Sequence, residues 1–446
     1  MRKNLGSVTI INSINYLHMH ENIRVSRLSN GLVVLTDQMS AVRSATLGFF
    51  FRVGSRHEPA ELNGISHFIE HTVFKGTQKR TALDIAIEQD RLGGNLDAFT
   101  THEETGFAIK VIDDQLPKAF DLIADMLVNP RFEQTDLESE QRVIIEEMKM
   151  IEDSPEEYLG EIFSEAFFPS HPLGLNIAGM PATVKSFNHV VTQKYHKDVY
   201  NASNLVITVA GNVEHDRILD LVRSSNFSWP PVESSLPKQE LKTTGPNLAA
   251  PILIKQNKNL EQAHLIIATP LVSAADERRY AADLLANIIG GGTSSRLWQK
   301  IREERGLAYS VGASAIMYQD CGLFSIFAGT SPEQVEEVVD LSVAEMRNIV
   351  KNGVTAGELD LAKQQTVSSI LLSLEDSAAR AATLAQAEMI HGRQISLEES
   401  LEKTNAVTID DVHALVRAYF RTENMAFVAL GDLRDMQIGR DDLRID

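Results

Sequence analysis

The sequence has a single cysteine, Cys321, among 446 residues. Neither an internal disulfide bond nor a zinc site built from several cysteines can form, and this scarcity favours a reducing compartment: the cytoplasm or, as the alternative, the mitochondrial matrix. No stretch approaches the roughly 20 apolar residues of a membrane-spanning helix. The first 20 residues carry Arg2 and Lys3 without a clear apolar core, so secretion is not expected, and a transit peptide is a weak alternative.

Positive charge is also scarce. The chain has 42 Lys and Arg against 61 Asp and Glu, a formal net charge of -19. Because phosphate binding needs clustered Lys and Arg, we do not expect a nucleic-acid partner. The acidic balance is typical of a soluble protein, and an acidic cavity that selects basic peptides is the sharper alternative.

The length exceeds that of one ordinary core and predicts roughly two to four domains. A stretch at 226–249 is rich in Pro and Ser and has no apolar period, so it is interpreted as a linker. The predicted domains are therefore 1–225 and 250–446. Within the first, the patterns predict two short strands joined at Asn30-Gly31, a strand at 107–112, and helices at 63–75, 82–92, 114–128 and 136–152.

The two domains resemble each other in sequence. Three kinds of segment recur in the same order: strand-then-helix units from Gly106 and Gly322, Thr-x-x-Glu capping boxes at Thr135 and Thr355, and strands after Asn204 and Asn424. The capping boxes are 220 residues apart, and so are the last two strands. A duplicated α+β domain is therefore predicted.

The chemistry-bearing motif is His67-Phe-Ile-Glu70-His71, within the helix predicted at 63–75. His67 and His71 are four residues apart, so both imidazoles project from one helix face, which is zinc-ligand spacing. Zinc lowers the pKa of a water molecule that it binds to about 7, and Glu70 can act as the general base. The alternative is an accidental cluster, which a third ligand would exclude.

The helix predicted at 136–152 offers that ligand. Glu140 and Glu147 fall within about 60° of the centre of its apolar stripe, whereas Glu146 points away as an ordinary solvated acid. Two carboxylates directed toward a core need a cationic partner, and a zinc ion is one. Phase alone leaves Glu140 and Glu147 open, and a buried salt bridge to Lys or Arg is the competing explanation.

These motifs resemble the pitrilysin and insulinase family of inverted-motif zinc peptidases, which includes mitochondrial processing peptidases and bacterial homologues, over nearly the whole chain. The resemblance implies one Zn²⁺ per chain, held by His67, His71 and Glu147. Glu147 matches the family's third ligand in ESEQRVIIEEM, and Glu140 matches an acid that supports the ligands from behind.

The resemblance also implies substrate-binding residues. LGGNLDAFTTHEET at 92–105 is similar to the family strand that pairs with an extended substrate, and it contains Asp97, Ala98, Phe99, Thr100 and Glu103. Asp97 and Phe99 replace the usual Asn and Tyr, so a side-chain hydrogen bond from Phe99 is not expected.

In the second domain, the segment at 290–313 is similar to the family's glycine loop and its substrate-contacting pair, here Arg302 and Tyr309. The positions equivalent to the zinc motif begin at Asp283 and contain no His, and 367–370 contains no carboxylate. One domain is thus expected to cut and the other to hold. By resemblance, the two form a clam shell around a cavity that admits peptides or unfolded polypeptides, and the protein is a homodimer.

The resulting hypothesis is a zinc metalloendopeptidase in which Glu70 is the general base. A non-catalytic partner or structural subunit of the same family is the alternative, although such subunits usually lose the motif residues. An unrelated zinc-binding module would explain neither the repeat nor Glu147.

Overall fold

The computed structural model describes residues 22–225, 245–433 and 436–446. The first 20 residues and most of the predicted linker at 226–249 lie outside the described residues. The described chain forms two β-sheets, one in the first half (22–225) and one in the second half (245–446), with helices packed on both.

Six strands form the sheet of the first half: β1 (Ile23–Arg27), β2 (Val33–Gln38), β3 (Ser44–Phe51), β4 (Leu96–Thr100), β5 (Thr105–Ile112) and β6 (Leu205–Gly211). Their order is β1-β2-β6-β3-β5-β4, so β4 is an edge strand. β1 and β2 meet at the predicted turn, where Gly31 has a φ of 91°, a left-handed conformation that glycine adopts without steric cost.

Five strands form the sheet of the second half: β7 (Ile252–Gln256), β8 (Ala263–Leu271), β9 (Ala308–Met317), β10 (Gly322–Thr330) and β11 (Ala426–Gly431). Their order is β7-β11-β8-β10-β9. β7 and β11 are parallel, as β2 and β6 are in the first sheet, and the following neighbours in both sheets are antiparallel. The two sheets have the same topology from β2 and β7 onward, so the predicted duplicated α+β fold is confirmed.

The helices complete the repeat. Those of the first half are α1 (Ile65–Thr72), α2 (Ala82–Leu92), α3 (Leu116–Val128), α4 (Gln134–Asp153), α5 (Pro155–Phe167), α6 (Pro181–Val184), α7 (His189–Val199) and α8 (His215–Ser224). Those of the second half are α9 (Arg279–Gly290), α10 (Val335–Asn352), α11 (Ala356–Ser373), α12 (Ser377–His391), α13 (Leu397–Ala406) and α14 (Ile409–Tyr419). All four helices predicted in the first half are present, with ends that differ by a few residues.

One of the two predicted capping boxes is wrong. Thr355 caps α11 as predicted, because its hydroxyl accepts the Glu358 N–H while the Glu358 carboxylate accepts the Thr355 N–H. α4 instead begins at Gln134 with Glu133 as its N-cap residue. The carbonyl of Glu133 already accepts the N–H of Leu137 at 3.0 Å, so Thr135 lies inside the first turn and cannot cap the helix.

The halves exchange a helix. α5 belongs to the first half, but Leu159 and Phe163 on it pack against Val428 of the second sheet. Reciprocally, Leu384 on α12 packs against Val33 of the first sheet. Because each sheet has two apolar faces that must leave water, each half covers a face of the other, and the two halves form one packed unit.

Buried ion pairs reinforce this exchange. The Glu388 carboxylate on α12 is 1% exposed and accepts hydrogen bonds from Arg27 at 2.6 Å and Arg52 at 3.2 Å, both in the first half. Nearby, Arg380 lies 2.9 Å from Asp37. Charges this deeply buried are tolerated because they are paired across the interface.

The structure also bears on membrane association. None of the helices in the described ranges has both the length and the apolar character that a membrane span requires.

Candidate metal centre

The centre is built on α1, a short helix whose start is held by a buried acid. Gly64 precedes the helix with a φ of 95°, and no side chain at that position caps it. Glu58 does so from a distance, because its carboxylate accepts the N–H groups of Gly64 and Ser66, each at 2.7 Å. Burial raises the pKa of Glu58 to about 7, against the lowering effect of these hydrogen bonds. The helix turn that follows presents His67, Glu70 and His71.

Helix α4 crosses α1 and brings Glu147 to the two histidines. The Glu147 Oε2 atom lies 3.8 Å from His67 Nε2 and 3.6 Å from His71 Nε2. His67, His71 and Glu147 are the one group of three or more potential ligands found within the described ranges, with ligand atoms within 4.8 Å of one another. Glu146 points away and pairs with Lys149 at 2.7 Å.

These residues fit a zinc ion. Bonds of about 2.0 to 2.1 Å in a tetrahedral arrangement place ligand atoms about 3.4 Å apart, close to the two distances above. Glu147 Oε2 is buried, and no hydrogen bond reaches it from the described residues. Burial lowers the pKa of His67 to about 4, with a smaller contribution from the neighbouring His71, and this keeps the His67 imidazole neutral as a ligand must be.

Glu140 contacts His71 on the side of the ring that faces away from Glu147. Its Oε2 atom lies 3.3 Å from His71 Nδ1, and its Oε1 atom lies 2.6 Å from Lys75 Nζ. Although burial acts the other way, the hydrogen bonds from His71 and Lys75 lower the pKa of Glu140, so it is a carboxylate that accepts the Nδ1 proton. The tautomer that results directs His71 Nε2 toward Glu147.

Glu70 lines a cavity that His67 and Glu147 also line, and the edge strand β4 holds its carboxylate. The hydroxyl of Thr100, the last residue of β4, donates a hydrogen bond of 2.7 Å to Glu70 Oε2. Burial raises the pKa of Glu70, and the Thr100 hydrogen bond opposes this. A raised pKa suits a group that takes and returns a proton near neutral pH.

Only some of the residues predicted to bind substrate on β4 and after it line the metal-centre cavity. Phe99 and Thr100 line the cavity of about 550 Å³ at the centre, whereas Asp97 and Ala98 do not. Among the described strands, β4 pairs with β5 alone, so its other edge has no strand partner there and can accept an added strand. Glu103 lies beyond the strand, where it accepts hydrogen bonds from Arg56 and from the backbone N–H of Gln319.

Arg302 and Tyr309 lie away from this cavity and are not among its lining residues. Arg302, on a π-helical segment at Trp298–Glu303, stacks between Trp298 and Tyr309, with its guanidinium carbon 4.1 and 4.9 Å from the two ring centroids. Tyr309 is 79% exposed. The pair thus stays together on an open surface of the second half.

Several residues of the centre were missed from sequence. Glu58 and Lys75 flank α1, Glu157 and Glu161 on α5 line the cavity, and Arg56 joins the halves by two hydrogen bonds of 2.9 and 3.1 Å to Asp320. Only Glu58 has a usable sequence signal, an acid just before a helix that lacks its own cap. The others depend on contacts between distant elements.

A duplicated α+β fold with a His-His-Glu centre on one half defines a class of metal-dependent peptidases. Comparison with family models agrees: residues 33–180 match Insulinase (Peptidase family M16), and residues 187–366 match Peptidase M16 inactive domain. The chain belongs to this insulinase family. The inactive-domain match falls largely on the half that lacks the ligands.

Bacterial relatives share most of the chain. An uncharacterized zinc protease of Streptomyces coelicolor is 36% identical over 423 residues, which cover 94% of this chain and 91% of the relative. One of Bacillus subtilis is 34% identical over 91% of this chain and 98% of its own. These names support a zinc-dependent peptidase.

Solved structures share the fold at lower identity. A protease from Helicobacter pylori has a TM-score of 0.83 at 21% identity and covers 92% of this chain and 99% of its own. A chain of complex III2 from Candida albicans has a TM-score of 0.81 at 20% identity and covers 94% and 99%. This likeness concerns the fold alone.

Proposed function

We propose that the protein is a zinc metalloendopeptidase that cleaves peptides or unfolded polypeptides, with one zinc ion per chain held by His67, His71 and Glu147. The observation that carries the proposal is the convergence of two Nε2 atoms on the buried Glu147 Oε2, with Glu70 beside them. A zinc ion supplies a Lewis acid that activates water and polarises the scissile carbonyl.

Side chains and backbone of the protein bind the substrate, transfer the proton and orient the ligands. An extended peptide pairs with the open edge of β4, which sets its backbone across the cavity. Thr100 engages Oε2 of Glu70, so we assign Oε1 as the atom that takes the proton from water and returns it to the leaving amine. Glu140 holds His71 in the ligating tautomer.

We also propose that residues 1–225 form the catalytic domain and 250–446 the substrate-holding domain of a cytoplasmic homodimer. Tyr309 is exposed on the second half, Arg302 is partly buried beside it, and neither lines its own chain's metal-centre cavity. In a symmetric dimer, Arg302 and Tyr309 of each copy would face Glu70 of the other copy. The substrate-contacting role of the pair is thus assigned to the partner copy.

A non-catalytic structural subunit is the second candidate, because a chain of a respiratory complex shares the fold. The intact ligand cluster and Glu70 favour the peptidase.

The deciding experiment measures zinc by mass spectrometry and cleavage of a peptide library, with Glu70→Gln beside the control Glu146→Gln. We expect about one zinc per chain in all three proteins, and a loss of about 10³-fold in kcat for Glu70→Gln alone. Normal cleavage by Glu70→Gln would remove the assigned base. A zinc-loaded wild type that cuts nothing in the library would favour the structural subunit.

Mixing inactive variants tests the dimer. Glu70→Gln and Arg302→Ala each lack one part of the site, and a mixed dimer regains one complete site only if Arg302 acts across the interface. After random exchange of subunits we expect about a quarter of wild-type activity. No recovery, with mixed dimers verified by mass, would place Arg302 in the same chain as its Glu70.

A further inference from the structure

A second cavity lies between the two halves, next to the metal centre. It has a volume of about 530 Å³, and we call it the inter-half cavity. The turn 101–104 after β4 forms one wall, and the end of β9 with the end of α12 forms the other. His102 and Ile177 line both this cavity and the one that contains Glu70, so the two are neighbours.

Glu104 on that turn is a partly buried acid without a polar partner. Among the residues that the structure describes, no hydrogen bond or ion pair reaches its carboxylate, whereas the adjacent Glu103 is engaged by Arg56 and Gln319. Burial raises the pKa of Glu104 to about 7, and the charge of Glu103 adds to this. A cation that enters the cavity would stabilise the charged form of this carboxylate.

The basic groups of the cavity do not serve as that cation. Arg279 donates to the Asp276 carbonyl and to the Tyr280 hydroxyl, and its guanidinium stacks on the Tyr280 ring at 4.4 Å. Burial lowers the pKa of His102 to about 4, assisted by the charge of Arg56, so His102 is neutral. His391 also lines the cavity, and burial lowers its pKa. None of these three groups contributes to the pKa shift of Glu104.

The remaining walls are suited to an aliphatic stem. Met317, Met389, Ile390 and Ile177 line the inter-half cavity. Lys and Arg side chains bury their methylene groups along apolar surface while the charged end reaches a polar partner. Glu103 also lines the cavity but is already paired with Arg56 and Gln319, so Glu104 is the acid that can accept a cation. Together with the apolar side chains beside it, Glu104 therefore matches a basic group on a flexible stem.

We propose that Glu104 binds a cationic group of the peptide substrate, a Lys or Arg side chain or a free amino terminus, in the inter-half cavity. The proposal rests on the proposed peptidase function, since the cavity shares walls with the one where cleavage would occur. Glu104 would then select basic peptides at a site separate from the scissile bond.

The kinetic test compares matched peptides that differ in one charge. Cleavage mapping first identifies a peptide that is cut, and each Lys or Arg is then replaced by norleucine, or the amino terminus is acetylated. We expect kcat/KM to fall about tenfold for one of these changes in the wild type and less than about twofold in Glu104→Gln. Glu61→Gln removes an exposed acid that lines neither cavity and should keep the wild-type preference.

The arms of the experiment identify the cation. A loss on norleucine substitution indicates a basic side chain, and a loss on acetylation indicates the amino terminus. Glu104→Lys should reverse the preference toward acidic analogues, and thermal unfolding checks that both variants are folded. If Glu104→Gln keeps the tenfold preference, the proposal is overturned.

A binding measurement separates this proposal from the peptidase itself. Calorimetry with the Glu70→Gln protein measures the affinity of the same peptides without cleavage, and the double variant Glu70→Gln/Glu104→Gln supplies the comparison. A charge preference that disappears in the double variant supports Glu104 even if the wild type cleaves nothing. Equal preference in both proteins overturns the role of Glu104 even if the wild type is an active peptidase.

Discussion

The two halves share one topology but differ in what the corresponding helices carry. In the first, α1 and α4 present His67, His71 and Glu147 to one point, and Glu70 lies beside them. In the second, α9 has Asp283 and then mostly apolar residues, and 367–370 on α11 has no acid. The same arrangement of strands and helices thus holds the candidate metal centre in the first half, whereas the corresponding helix α9 in the second half mainly packs in the core. The fold alone therefore does not set the function.

The halves nevertheless depend on each other. Because α5 covers the second sheet and α12 covers the first, neither half has a complete core alone. The half without the candidate ligand cluster thus stabilises the half that contains it, and it contributes walls to the inter-half cavity.

The largest effect should come from removing the acid that distinguishes α4 from α11. Glu147→Gln replaces a charged ligand by a neutral amide, so we expect zinc affinity to fall more than about 100-fold, and cleavage with it. Chelator competition measures the affinity. Glu146→Gln on the same helix and Ser368→Ala on α11 are the controls, and both should bind zinc normally. Unchanged affinity in Glu147→Gln would remove Glu147 from the proposed ligands and with it this difference between α4 and α11.

The next effect concerns the dependence of one half on the other. Glu388→Gln leaves the half-exposed Arg27 and the partly buried Arg52 facing a neutral group. Because water still reaches Arg27, we expect a loss of about 2 kcal/mol in the free energy of unfolding, less than for a fully buried pair. Urea denaturation provides the measurement. Arg223→Ala removes an exposed pair with Asp220 and should leave the denaturation midpoint in place. An unchanged midpoint in Glu388→Gln would mean that the pairs of Glu388 with Arg27 and Arg52 do not stabilise the contact between the halves.

A smaller effect should follow from loosening His71. Glu140→Gln weakens the acceptor of the His71 Nδ1 proton and leaves Lys75 without its partner. We expect zinc affinity to fall about 10- to 100-fold, less than for Glu147→Gln. If Glu140→Gln lost more affinity than Glu147→Gln, the assignment of the two acids would have to be exchanged.

The smallest effect should come from the edge strand. Thr100→Val keeps the shape of the side chain but removes the hydrogen bond to Glu70, so we expect kcat to fall about tenfold with KM and zinc content unchanged. Thr100→Ser should restore most of the rate. A change in KM alone would instead make Thr100 a substrate contact.

Much of the fold was predictable because it follows from local periodicity. The turn at Asn30-Gly31, helix α2 and the repeated strands agree with the patterns. The cap at Thr135 failed because a Thr-x-x-Glu pattern also fits inside a first turn, and the backbone of Glu133 decides where α4 begins. The exchange of α5 and α12 could not be predicted from local sequence, because the apolar face of a helix can pack equally well on either sheet.

The sequence by itself determined that His67, Glu70 and His71 share a helix face, because the helical period fixes neighbours within one element. It also narrowed the third acid to Glu140 or Glu147. Only the tertiary structure decided that Glu147 lies between the two imidazoles while Glu140 lies behind His71 beside Lys75. Likewise, only the tertiary structure placed Glu104 at the inter-half cavity, where no other described residue pairs with its carboxylate. Such relations depend on how separate elements cross and pack, and no periodicity within one element specifies them.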